Sequence, residues 1–253
     1  MTASHRRWPA VAVIALSLLS WWAAARFGVA GRTVLAGPGE VAALVPSPVF
    51  GRVLLHLVHT AGRALLGWVL ALGAGTALGL TFGARRSFFD ATQPVVEFFR
   101  SIPPVLALPL FLVTFEYGEP AYLWTIVFGC LPIVVLTVAR GLQAMDPAPI
   151  RTLHVFGASP AVLFAATALE TIPAVFLAAR VTFSISLIVT VVCEMVATPR
   201  SGMGVGSLAR DAELSFETPT FYLCILVVGT YALLCNRLLE GVERRLAGAD
   251  RAS

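Results

Sequence analysis

Lysine is absent from this chain, and all 18 basic residues are arginine. That absence excludes two chemistries. A phosphate-cradling P-loop needs its lysine at the phosphates, and Schiff-base catalysis needs a lysine amine. If ATP drives this protein, another subunit hydrolyses it. Charge of either sign is scarce too: 13% of residues are charged against 58% hydrophobic, and the mean hydropathy is +0.85, which is the composition of an integral membrane protein. A crossing consumes roughly 20 largely apolar residues, so several crossings leave no room for a large catalytic domain outside the membrane. The cysteines Cys130, Cys193, Cys224 and Cys235 have no CxxC spacing and lie in or beside apolar runs, as small buried residues do. The arginines are scattered at the ends of apolar runs and form no basic patch, so nucleic acid is not an expected partner. No cofactor is expected in this chain.

What is present reads as about six transmembrane helices in an all-α, polytopic membrane protein forming one transmembrane domain, with spans near 9–30, 61–83, 92–115, 121–139, 172–197 and 219–239. Arg6 and Arg7 precede the first run, Arg85 and Arg86 follow the second, Arg140 the fourth, and Arg237, Arg244 and Arg245 the sixth. This bias puts both termini in the cytoplasm. The first run also fits a cleaved signal peptide, although its length and the pair Trp21 and Trp22 favour a retained helix. Residues 31–59 read as an external connection with a short surface helix on which His56 and His59 share a face, and 198–219 as a flexible external loop. The GxGxG of Gly202, Gly204 and Gly206 lacks the strand-turn-helix context of a dinucleotide fingerprint.

Inside the second span Ala71, Gly75, Gly79 and Gly83 recur every four residues, a surface on which another helix packs closely. The third span carries Pro103, Pro104 and Pro109 and should be irregular, as a simple kink or as a helix lining a pathway. The fifth span holds Arg180 and Glu194, fourteen positions or roughly 21 Å apart along a helix, too far to pair with each other. Either both snorkel toward the membrane surfaces, or they join Thr182, Ser184, Ser186 and Thr190 in a polar pathway. Glu194, Asp90 and Glu97 are also the carboxylates that a stand-alone secondary transporter would have to use. No HExxH motif and no paired carboxylates at helical spacing point to a membrane-embedded enzyme.

Between the fourth and fifth spans, residues 141–170 interrupt the membrane sequence. Asp146 before Pro147 is a helix start, Gly157 a helix stop, and Ser159 with Pro160 a second start, which makes RTLHVFGASP the turn between two short cytoplasmic helices. With GPGEVAALV, GRALLGWVLALGAGTALGLTFG, DATQPVVEFFRSIPPVLALPLF, GLQAMDP, FGASPAVLF, CEMVA and RLLEGVERRL, between about residues 35 and 246, the chain resembles the permease subunit of type I ABC importers, in the nitrate, sulfonate, taurine and thiamine-precursor branch. The resemblance implies a bacterial inner-membrane protein that works with two copies of an ATPase subunit, an external solute-binding protein and a second permease copy. It also implies that 141–170 is a coupling loop, with Arg151, His154, Gly157, Ala158 and Ser159 at the ATPase. Gly157 falls at the glycine of the family's EAA motif. Arg151, Thr152 and Leu153 stand where relatives usually carry Glu-Ala-Ala, which makes an acidic contact basic. Pro103, Pro104, Arg180, Ser184 and Glu194 are the candidate lining of the solute path.

Overall fold

A computed structural model of the chain describes residues 8–27, 35–116, 118–197 and 202–249, and among these every regular element is an α-helix. In chain order they are α1 (Trp8–Phe27), α2 (Pro38–Ala43), α3 (Pro48–Gly83), α4 (Arg86–Ser101), α5 (Pro104–Thr114), α6 (Glu119–Ala144), α7 (Ala148–Val155), α8 (Pro160–Glu170), α9 (Ile172–Val196), α10 (Val205–Leu214) and α11 (Thr218–Ala249). Four of them, α3, α6, α9 and α11, are long and apolar enough to cross a membrane, and the bent pair α4 and α5 makes five if it counts as one crossing. The apolar part of α1, Ala12–Phe27, is shorter. Arg6, Arg7 and Arg200 lie outside the described residues.

The chain divides into two units, one built from residues 1–59 and 202–230 and the other from 60–201 and 231–253. In the first, Ala36, Val41, Val53, Val205, Ala209, Leu223 and Cys224 form the core. Trp21 stacks on Tyr222 with ring centroids 5.8 Å apart and donates its indole N–H to Ala36 O at 2.9 Å. Two expectations are corrected here. The surface helix expected before residue 60 is the first part of α3, a continuous 36-residue helix, because Val53 and Thr60 are both buried and there is nothing in FGRVLLHLVHTAGR to stop it. The flexible loop expected after Gly202 is largely α10, whose Val205, Gly206, Ser207, Ala209 and Ala212 are buried. His56 takes part in holding it, with Nδ1 2.9 Å from Gly204 O and 3.1 Å from Gly204 N.

In the second unit the glycines of α3 set the arrangement. A Cβ placed on Gly75 would stand 2.6 Å from Val134 Cβ, one on Gly79 2.8 Å from Val138 Cβ, and one on Gly83 2.9 Å from the Ala139 backbone. Any side chain at these positions would force the helices apart, so the small residues allow the close approach. Gly67 faces Ile126 in the same way. Numbers on the two helices rise together, so α3 and α6 run parallel. The chain between Gly83 and Glu119 therefore runs back along the pair from one end to the other, by way of α4 and α5. It is not the single helix expected over 92–115. It breaks at Ile102 and Pro103 with a bend of 84°, since Pro103 and Pro104 supply no backbone N–H to continue the ladder.

Helix α9 runs antiparallel to α6, with Gly129 beside Val189 and Gly141 beside Ala174. The buried residues Leu108, Leu112, Ala121, Tyr122, Ile126, Val127, Cys130, Val189 and Cys193 pack around this pair. The α6 and α9 pair thus has two ends, one continuing into α7 and α8, the other carrying Glu119 and Glu194.

Candidate functional site

The hairpin end is built from backbone bonds. Asp146 Oδ1 accepts from Ala148 N at 2.9 Å and opens α7. At the other end of α7, Ala158 N donates to Leu153 O and Gly157 N to His154 O, each at 3.0 Å, while Gly157 adopts φ +75°. These two bonds form a Schellman motif, and the left-handed conformation at Gly157 is one that residues with a Cβ rarely adopt. Ser159 Oγ then accepts from Val162 N at 3.4 Å, and Pro160 fills the first position of α8. The turn presents Val155 and Phe156, 83% and 84% exposed, flanked by exposed Arg151 and His154. Two large apolar side chains thus stand exposed together at the tip of the turn.

The opposite end carries a cluster of charged side chains. Glu194, 3% exposed, accepts from Arg63 Nη1 at 2.8 Å and from the Thr60 hydroxyl at 2.9 Å. Arg63, itself 8% exposed, donates through Nε to Glu119 Oε2 at 2.7 Å and through Nη2 to Glu119 Oε1, a bidentate pair, while its guanidinium carbon lies 5.1 Å from the Tyr122 ring centroid. Snorkelling is thereby overturned for Glu194, which points into the protein and finds its counter-charge on α3.

Arg180 meets Glu243 of α11 at 2.8 Å, so it too is satisfied by a helix instead of by headgroups alone. One helical turn further on, Ser184 Oγ accepts from Asn236 Nδ2 at 3.0 Å. Arg180 and Ser184 are thus brought together on the α9 and α11 contact. Glu194 is at the far end of α9, and Pro103 and Pro104 lie on another helix pair, where Pro104 packs on Gly129. The five candidate path residues therefore form three separate groups. Arg63 and Glu119 went unremarked in the sequence as site residues; the available signal was an arginine inside an apolar run, at GRALLGW, with no nearby acid to match it.

Comparison with known proteins agrees with this architecture. The chain is 27% identical over 85% of its length, and 87% of the relative's, to a Brucella melitensis protein described as a probable ABC transporter permease. It is 24% identical to the taurine transport system permease protein TauC of Escherichia coli, over 95% of this chain and 91% of that one. The nitrate import permease protein NrtB of Leptolyngbya laminosa is 28% identical, over 73% of this chain and 65% of that one. Among solved structures, a bacterial ABC transporter involved in the import of the acidic polysaccharide alginate shares the fold, with a TM-score of 0.67 and 13% identity over 95% of this chain and 96% of that one. A family profile, that of the binding-protein-dependent transport system inner membrane component, matches residues 71–248. That match takes in α4 to α10 entire with the last third of α3 and nearly all of α11, and the chain therefore belongs to this family, as a multi-pass, inner-membrane permease subunit of an ABC importer.

Proposed function

We propose that the chain forms, with a second copy of itself, the solute path of an ATP-driven importer, and that its α7 and α8 hairpin docks on an ATPase subunit. The observation that carries this reading is the pair Val155 and Phe156, exposed at the tip of a turn whose geometry is fixed by Gly157. Two ATPase subunits would bind two hairpins, and closure of the ATPases on ATP would push α7 and α8 and tilt α6 and α9, to which they are joined. The hairpin face is then cytoplasmic, as are both termini. The cluster of Arg63, Glu119 and Glu194 faces the side from which an external binding protein delivers the solute. TauC and NrtB carry taurine and nitrate in their names, which favours a small oxyanion as the cargo. Arg151 gives the docking surface a positive charge where relatives usually have a negative one, so the ATPase groove opposite it carries a complementary acid.

The test is co-purification of the tagged chain with its co-expressed ATPase, followed by uptake in liposomes with binding protein and ATP. The parent retains the ATPase, Phe156→Asp loses it while remaining folded, and Arg151→Glu retains less. Retention undiminished by Phe156→Asp removes the docking role, tighter retention by Arg151→Glu removes the acidic groove, and solute flux by the chain alone without ATP removes the importer reading.

A further inference from the structure

Arg63, Arg140 and Arg180 each meet a carboxylate from another helix, whereas Arg100 has no hydrogen bond or ion pair among the described residues, although it is exposed at the level of the middle of α6. Its level follows from its neighbours. Phe99 packs edge-on against Phe128, ring centroids 6.2 Å apart, and a Cβ on Gly129 would lie 2.6 Å from Pro104 Cγ. Arg100 is therefore level with the uncharged stretch 120–139 of α6, far from the charged ends of that helix. A guanidinium held there against hydrocarbon is costly, and such groups in membrane proteins line water-filled cavities or meet a partner.

The helix that carries it has a polar side. At 3.6 residues per turn, Arg86, Asp90, Gln93, Glu97 and Arg100 fall within about 80° of the circumference of α4. Glu97 Oε1 accepts from Gln93 Nε2 at 2.9 Å and from Arg140 Nη2 at 2.6 Å, with both members of the ion pair partly exposed. The Glu97 carboxylate and the Arg140 charge are thus committed to each other. The polar track leads from the hairpin face of the bundle up to Arg100 and stops at the break, where Pro103 and Pro104 offer no backbone donor. At its head stands one planar cation with several free donors, the geometry that grips an oxyanion bidentately.

We propose that Arg100 is a solute-contacting residue, which binds the oxyanion group of a small sulfonate, nitrate or carboxylate at the head of a water-filled approach lined by α4. The proposal rests on the importer reading and deepens it by naming the side chain that selects for negative charge.

The test uses the full chain in liposomes of zwitterionic lipid. Ser101→Cys puts a near-isosteric thiol beside Arg100, and the four native cysteines, three of them buried, are subtracted as background with the parent chain. Rates of modification are measured with the anionic sulfonatoethyl and the cationic trimethylammonioethyl methanethiosulfonate. Electrostatic focusing by Arg100 raises the ratio of anionic to cationic rates, and Arg100→Gln lowers it on the order of tenfold, whereas Arg100→Lys keeps most of it. Ethanesulfonate slows modification with Arg100 present and not with Arg100→Gln. Absence of reaction with either reagent overturns the proposal, because α4 then presents this side to lipid and Arg100 serves headgroups. A ratio unmoved by Arg100→Gln, or no protection by ethanesulfonate, overturns it as well. The importer reading is judged separately, by ATPase retention, which none of these variants touches.

Discussion

The two ends of the α6 and α9 pair solve opposite problems. At one end Arg63, Glu194 and Thr60 turn polar groups and charge inward, with the exposed Glu119 on the outer side of Arg63, and Glu194 is held by donors from two side chains. At the other, α7 and α8 turn apolar surface outward, with Phe156 84% exposed. The first arrangement owes its stability to side chains and leaves little for a partner. The second owes its shape to backbone bonds and leaves its side chains available. The difference separates residues whose loss damages the fold from those whose loss damages an association.

Substitutions that break this contrast should follow the same order. Glu194→Ala removes the buried one of the two carboxylates on the Arg63 guanidinium, which keeps Glu119, and is expected to cost about 1–3 kcal/mol, seen as a fall in the apparent melting temperature in detergent. Replacing Arg63 and Glu194 together by methionine should recover at least half of that loss; if the double variant is as unstable as the sum of the singles, the cluster is no buried pair. Gly157→Val meets no neighbouring atom within 4 Å, so its cost is the left-handed backbone alone, roughly 1–2 kcal/mol. The melting temperature should fall slightly while ATPase retention falls sharply. Ser159→Ala removes a long cap bond and is expected to cost about 0.5–1 kcal/mol, with α8 intact by circular dichroism. Phe156→Asp should leave stability within about 0.5 kcal/mol of the parent, since the side chain is solvated. A large destabilisation there would show that the tip is packed and not open.

Legibility in the sequence follows the same division. Local features could be read, because their causes lie within a few residues: Asp146, Gly157 and Ser159 fix the hairpin, and 172–197 coincides with α9 to within a residue. The small-residue spacing of α3 announced close packing but not its partner. What could not be read was set by residues distant in sequence. Arg63 and Glu194 are 131 positions apart, and no periodicity connects them. The prolines at 103 and 104 signalled an irregular helix, but the bend of 84° is fixed by how α5 lies on α6 while Phe89 holds α4 against Leu136 and Ala139. The continuation of α3 back to Pro48 likewise depends on a core whose other half comes from residues 202–230.

The hydrogen bonds that close the Gly157 turn involve no side-chain atom, so sequence drift at its surface is uncoupled from its shape. Arg151 illustrates the result: it is exposed and its side chain takes no part in either bond, so its charge can be inverted while the turn is retained. A lineage can therefore change which partner this surface accepts by single substitutions, each viable in its own right, without passing through an unfolded intermediate. The same property makes the hairpin a graftable module, whose outward residues could be exchanged between permeases to redirect their pairing while the helices behind it stay as they are.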